Sequence, residues 1–570
     1  MRIPATTDEL MKMTWSDLQP LYEDLEKQEL TADNLETWLT AWSRVSECVD
    51  EKYNRLYVAT TQNTADEKAE KAFADFLDNI YPNAQVHEQK LKEMLIATRM
   101  EPLGFDVPVR NMRAEAKLFR EENIPLLTEE QKLTTEFDKI VGAQTVDWKG
   151  EEKTVQALTQ FLGSQDREIR EKAWVASMSR VYEDRDRINA LWQKFLALRM
   201  QIAKNAEKKD YRDYKWQQYY RFDYTPQDCM NFHKAIEEVV VPAVSKLLKQ
   251  QKDLLGVDVL RPWDIDLKAY VDPRGLEPLA PFKTIDEQVE KTQNIFNHVD
   301  PVLGGYFLEM RQQGMLDIPN RKHKASGAYC TGYNKIRKPF VFCNSVGTHE
   351  DVSTLIHESG HAFHVFESSH LPYLQQLNVT MEFAEVASMG MELLATPFLQ
   401  KSYGGFYTEK ESARALSQHL ITSLMFWPYM SVVDSFQHWV YTNTDKAMDP
   451  DQCDAQWSEL WDRFMPDQDW TGYEQYKRTG WHRKLHIHQL PFYYIEYGLA
   501  QLGAVQVWGN SLKNPVKAIA EYRRALALGG TVPLPVLFRT AGARLAFDAA
   551  TLKTNVDLMM GEIERLEKVI

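Results

Sequence analysis

The chain has 570 residues, enough to bury a large core, and 44% of them are hydrophobic. A formal net charge of −15, with no basic run or arm, argues against nucleic acid as a partner, because phosphate binding relies on clustered Lys and Arg. Five scattered cysteines, Cys48, Cys229, Cys330, Cys343 and Cys453, offer no disulfide framework and point to a reducing compartment.

Helical periodicity dominates from the start. Met1–Glu9 carries no apolar signal-peptide segment. Apolar spacing predicts helices over roughly 8–30, 33–62, 66–98, 129–140 and 151–162, a long pair from 166 to 209, then 226–253 and 284–314. Pro242 is expected to break or kink its helix, and Pro262, Pro273 and Pro281 mark 256–283 as a loop with one short strand at most. Phe340-Val341-Phe342 reads as a short strand, one of few such signals. Helices follow over 410–441, 453–464 and 514–528. The richest apolar run, Ile421–Val433, is interrupted by Pro428 and too short to span a bilayer. A mostly α, soluble, cytoplasmic protein is expected. No repeat and no long Pro/Gly/Ser linker occurs, so the expected division is between an N-terminal helical lobe, 1–165, and a larger body, 166–570.

The chemistry concentrates at His357-Glu358-Ser359-Gly360-His361. Two histidines four apart on a helix lie about one turn from each other, ~6 Å along the axis. Both imidazoles then reach one metal ion, and the glutamate between them is placed to take a proton from water. Thr348 and Asp351 form a capping box for this helix. Val352, Leu355, Ile356, Phe363 and Phe366 mark its buried face, and Ser368, Ser369 and Pro372 end it.

H-E-x-x-H on a helix reads as a zinc-peptidase motif, and such a site needs a third protein ligand and an open fourth position. Residues 381–394 form a second helix by periodicity, and Glu385 and Glu392, seven apart, lie within ~20° of each other. Glu385, beside the small residues Ala387 and Ser388, is the candidate third ligand. Glu382 or Glu392 would then accept an N–H from a ligating histidine and hold its tautomer. The ligand set implies one Zn²⁺ per chain, although ligand identity alone also admits cobalt or manganese.

The HESGH stretch followed by EFAEVAS resembles the oligoendopeptidase F and thimet oligopeptidase family of zinc metallopeptidases, and within it the bacterial branch with the Pz-peptidases. Two further segments carry the resemblance. Ser326–Tyr333 with Lys338–Asn344 is similar to a short β element bordering a substrate groove, which implies peptide contacts at Gly327, Ala328 and Tyr329. His486–Gly498 is similar to a His/Tyr-rich segment that stabilises the transition state, which implies donors among His486, His488, Tyr493, Tyr494 and Tyr497. The resemblance implies a two-lobed helical fold, with a small β-sheet beside the motif helix and a deep substrate channel.

The expected function is zinc-dependent cleavage of internal bonds in short oligopeptides, with Glu358 as general base and then acid. An exposed edge strand near the metal would hold an extended peptide through its main chain, indifferent to side-chain identity. Lys335, Arg337 and Lys338 form a basic cluster near this element, read as a solvated turn or as a site for a peptide's carboxylate. Two other readings stay open: a helical zinc carboxypeptidase or dipeptidase, and a non-catalytic peptide-binding protein. Neither nucleic acid nor membrane is expected as a partner, and the oligomeric state, monomer or dimer, stays open.

Overall fold

Most helices form where the apolar spacing places them, and caps set their ends. Residues 3–265 and 271–570 are described by the computed structural model; 266–270, inside the loop expected at 256–283, lie outside the described residues. Pro226–Leu255 shows the pattern. Thr225 and Asp228 cap each other's backbone at its start, Phe232, Ile236, Val240, Val244 and Leu248 line its buried side, and Gly256 ends it at a φ of 64°. The helix passes through Pro242 without a break. Pro242 and Glu238, whose carbonyl it leaves without a donor, are both exposed. Water can satisfy that carbonyl while packing holds the rest.

A departure from expectation lies at 151–162. Its first residues, Glu151–Thr154, form a strand (β2) paired antiparallel with Thr145–Trp148 (β1), and the helix begins only at Val155. The connection, Lys149-Gly150, has φ of 58° and 85°, the doubly positive conformation of a two-residue hairpin turn.

The chain divides into two compact units, but not at residue 165. One comprises 1–116, 279–412 and 503–545; the other comprises 117–278, 413–502 and 546–570. Residue 165 falls inside the second. Helices that share a core need not be consecutive, and this chain has no linker-like composition to mark the crossings.

In the first unit, Trp38 and Trp42 of helix Leu35–Gln62 pack with Leu18, Tyr22, Leu91 and Leu95. Buried indoles need acceptors, and these donate to the Leu25 carbonyl and to Glu88 at 3.1 and 2.7 Å. The same unit holds a three-stranded sheet: Leu316–Pro319 (β3), Tyr329–Tyr333 (β4) and Lys338–Ser345 (β5) in the order β3-β5-β4. β5 pairs parallel with β3 and antiparallel with β4. The strand expected at 340–342 is therefore the central one, which explains its continuous apolar run; the edges are β3 and β4. The motif helix, His349–Ser368, packs on β4 and β5.

In the second unit, Trp192, Trp427 and Trp481 are fully buried. Their indole N–H groups donate to the Ala447 carbonyl, the Gly498 carbonyl and Asp454 at 2.8–3.0 Å. No helix among the described residues is long and apolar enough to cross a membrane.

Candidate metal centre

The motif helix starts where its sequence dictates. The Asp351 carboxylate accepts the backbone N–H groups of Val346, Gly347 and Thr348, while Thr348 Oγ1 accepts that of Asp351. Four donors are thus satisfied at a helix N-terminus. The face carrying His357 and His361 meets the helix Met381–Ala395.

Gly360 decides how closely the two helices cross. A Cβ at this position would lie 2.6 Å from both the Ala387 carbonyl oxygen and Ser388 Cα, which are backbone atoms and cannot swing aside. Only glycine permits this approach, against the small residues Ala387 and Ser388. From the other side Tyr522 donates its hydroxyl to the same Ala387 carbonyl at 2.6 Å. The motif alone does not reveal this role for Gly360, since the third and fourth positions of H-E-x-x-H are unspecified.

The crossing brings the donor atoms together. Glu385 Oε2 lies 3.4 Å from His357 Nε2 and 3.8 Å from His361 Nε2, and the three ligand atoms all lie within 4.8 Å of one another. Two ligands each ~2.1 Å from a tetrahedral ion are about 3.4 Å apart, so the set fits a zinc-sized cation. Its supports fit as well. His357 Nδ1 donates to Glu392 Oε1 at 2.7 Å, leaving the Nε2 lone pair for a ligand role. His361 hydrogen-bonds the Ala384 backbone. Ser388 Oγ donates to Glu385 Oε2 at 2.9 Å and steadies that carboxylate. Glu392 thus supports His357, and Glu382 lies buried on the same helix.

The electrostatics follow from burial and these contacts. Burial works to raise Glu385, but its hydrogen bond with His357 and the charge of His361 hold it below the usual carboxylate range. Glu358, 7% exposed, is pushed up to about 7 by burial, with Glu385 and Glu392 adding to the rise and His357 opposing it. Burial sends His364, one turn on, down to about 3. Packed edge-on to Phe383, it is a neutral core histidine.

Of the residues expected near the substrate, Gly327 is exposed at a φ of 92°, its carbonyl accepting from Asn344. Ala328 is half-buried, and Tyr329 stacks on Phe342 and shares a 2.6 Å hydrogen bond with Thr61. Arg337 and Lys338 are ion-paired with Glu47 and Glu309.

In the second unit, His486 clusters with Tyr493, Tyr494 and Tyr497, ring centroids 4.9–6.2 Å away. His486, Tyr493 and Tyr497 keep partial exposure. Two expected donors turn inward. His488 is fully buried, stacked on Phe137 at 4.4 Å and boxed by Trp192 and Trp481. Burial pushes it down to about 3, so it packs as a neutral core group. Tyr494 packs against Phe426 and Tyr429 beneath the Lys484 ammonium. The sequence gives only their spacing, and the direction of each ring depends on the irregular backbone between them.

The sequence profile of Peptidase family M3 matches residues 160–557, and that of the Peptidase M3 N-terminal domain matches 9–102. The chain belongs to Peptidase family M3. This M3 chain is 25% identical over 343 residues to an oligoendopeptidase F homolog of Mycoplasma pneumoniae, covering 56% of this chain and 52% of that one. It is 24% identical over 243 residues to the plasmid oligoendopeptidase F of Lactococcus lactis subsp. cremoris, covering 42% and 38%. The chain thus spans about half, or less, of the length of these curated relatives. A solved structure of Pz peptidase A with an inhibitor matches it with a TM-score of 0.85 at 27% identity, over 99% of this chain and 98% of that one.

Among the described residues of this M3 chain, one other cluster has the composition of a cation site: Cys229, Asp434 and His438, all buried. Asp434 Oδ2 lies 2.9 Å from His233 Nε2 and 3.3 Å from His438 Nε2. On the far side of His438, Arg212 Nη1 approaches Nδ1 at 3.3 Å. A guanidinium can only donate, so Nδ1 accepts and the ring proton sits on Nε2, the nitrogen 3.3 Å from Asp434 Oδ2. That nitrogen has no lone pair for a metal. The hydrogen bonds of His233 to Asp434 and Ser435 instead tie helices Pro226–Leu255 and Glu409–Thr442 together here.

Proposed function

We propose that this chain is a zinc-dependent endopeptidase acting on short oligopeptides. The observation that carries the reading is the crossing at Gly360, which gathers two imidazoles and a carboxylate within 4.8 Å, with a third-turn carboxylate, Glu358, buried beside them. When held by His357, His361 and Glu385, zinc supplies Lewis acidity that polarises a peptide carbonyl and acidifies water.

The chain's own groups do the remaining work. Glu358 takes the proton of the attacking water on its carboxylate and returns it to the nitrogen of the departing amine. A carboxyl raised by burial to about 7 is suited to both transfers. Glu392 keeps the His357 ring in one tautomer, and Ser388 holds Glu385 in one rotamer. His486, Tyr493 and Tyr497, the accessible members of the His/Tyr segment, are proposed as donors to the oxyanion that develops on the substrate. The carboxypeptidase reading needs a cation to receive a free C-terminal carboxylate. Of the basic cluster considered for that role, Arg337 and Lys338 are paired with Glu47 and Glu309.

An end-blocked peptide series of increasing length, digested with and without chelator and read by mass spectrometry, tests the proposal. Internal cuts in the short members, abolished by chelator, are expected. Cuts confined to unblocked termini would replace it with the exopeptidase.

A further inference from the structure

We infer that Arg199 and Arg221 are positioning residues for the 486–497 segment, whose backbone they hold so that His486, Tyr493 and Tyr497 are presented together. The inference rests on the proposal that this segment supplies donors to the reaction.

The segment's local structure sets the problem. Leu485–His488 is a single helical turn and a regular helix resumes only at Tyr494. Between them the helical ladder lapses: the Leu490 carbonyl still accepts the Tyr493 N–H, but those of Ile487, His488 and Phe492 take side-chain donors, since buried carbonyls without donors are strongly disfavoured. Phe492 adds a conformational demand: its φ is 67°, in the left-handed region that a bulky residue rarely occupies. Such a conformation persists only where surrounding contacts over-determine it.

Two guanidiniums and one amide supply those contacts. Arg199, fully buried, donates from Nη1 to the Ile487 carbonyl at 3.4 Å and from Nη2 to the His488 carbonyl. Arg221, also buried, donates from Nη2 to the Phe492 carbonyl and to Glu496 Oε1, both at 2.6 Å. Gln437 Oε1 accepts the Phe492 N–H. The Phe492 ring is enclosed by Trp216, His438 and Tyr441. Each buried cation is also neutralised, Arg199 by Glu130 at 2.7 Å and Arg221 by Glu496. Tyr441 is hydrogen-bonded to Arg199 at 2.9 Å.

The placement of the anchors argues for more than bulk stability. Ile487 adjoins His486, Phe492 adjoins Tyr493, and Glu496 adjoins Tyr497. Each of the three accessible side chains is thus one residue from a group gripped by Arg199 or Arg221. Arg199 reaches its two carbonyls from two nitrogens of one planar fork, and Arg221 reaches a carbonyl and a carboxylate from one nitrogen held rigidly in such a plane, whereas a lysine ammonium is a point donor on a flexible stem.

Arg199→Lys and Arg221→Lys keep the charge and remove the fork. In each, kcat on an internally quenched peptide is expected to fall roughly tenfold to a hundredfold, as misplacement of reacting groups does, with KM, metal content and helical circular dichroism near wild type. The deciding readout is a double-mutant cycle with Tyr493→Phe, Tyr497→Phe and His486→Gln. Where those donors are already gone, the lysine substitutions should remove little further activity. Additive losses, or losses that follow metal content and melting temperature, would make the arginines merely structural and overturn the inference. Unchanged kcat in both lysine variants, with lowered kcat in the Tyr and His variants, would also overturn it. No effect from any Tyr or His variant would instead remove the proposal for the segment, and the inference with it. Should a lysine variant fold poorly, Tyr441→Phe disturbs Arg199 more gently and is expected to lower kcat without changing metal content.

Discussion

The metal centre and the 486–497 segment both hold polar side chains in fixed places, by opposite means. The centre's ligands sit on two regular helices. Their backbones satisfy themselves, and spacings of four and seven residues decide which side chains share a face. It asks one thing more, a close crossing at Gly360. The segment has no such regularity between His488 and Tyr494, so its backbone takes partners from residues 55 to 289 positions away. A helix-borne site is therefore sensitive to the helix–helix contact and its immediate hydrogen bonds. An irregular one is sensitive to distant anchors.

The largest effect that would test this contrast is chemical. Glu358→Gln should keep one equivalent of metal while kcat falls by about 10²–10⁴, measured on a quenched peptide beside metal analysis. Retained turnover would take Glu358 out of the proton-transfer role. Next comes Glu392→Ala, which removes the acceptor for His357 Nδ1. Metal affinity should drop roughly 10–100-fold in competition with a chelator, and an unaltered affinity would show that the tautomer is held by something else.

Gly360→Ala separates helix propensity from crossing distance. Alanine is favoured over glycine in a helix interior by about 1 kcal/mol, so an open site would be stabilised. Here the added methyl meets backbone, and a net destabilisation of about 1–3 kcal/mol is expected, seen as a lower melting temperature with weaker metal binding. A higher melting temperature would mean that the helices do not touch at this point.

The smallest effect concerns the sheet beneath the motif helix. Burial would raise Asp317, but hydrogen bonds from Arg321, Lys324 and Gln62 bring it down to about 2 from its ordinary 3.8. A depressed folded-state value stabilises the protein above pH ~4, and that contribution, about 2 kcal/mol, is lost as pH falls towards 2. Asp317→Asn should flatten this part of the acid-denaturation curve. An unchanged curve would exclude Asp317 as a source of acid sensitivity.

Legibility in the sequence tracks the same contrast. His357, His361 and Glu385 were readable because each lies on a helix whose period places it, and Glu392 because it is two turns beyond Glu385. Choosing Glu392 over Glu382 as the partner of His357 required knowing where the two helices cross. His488 and Tyr494 could not be told from His486 and Tyr493 by spacing, since the turn at Phe492 aims the rings. Pro242 does not end its helix, because a single lost hydrogen bond on an exposed face is weaker than the packing along the rest of it.

Motif spacing and local periodicity determined the helical character of the chain, the capped motif helix and the candidate metal ligands His357, His361 and Glu385, because helix geometry relates neighbours in sequence directly to neighbours in space. Tertiary structure alone decided the two discontinuous units, the central place of β5, the close crossing that requires Gly360 and the anchoring of the His/Tyr segment by Arg199 and Arg221. Those features join residues far apart in the chain, and their contacts depend on approach distances that no periodic pattern encodes.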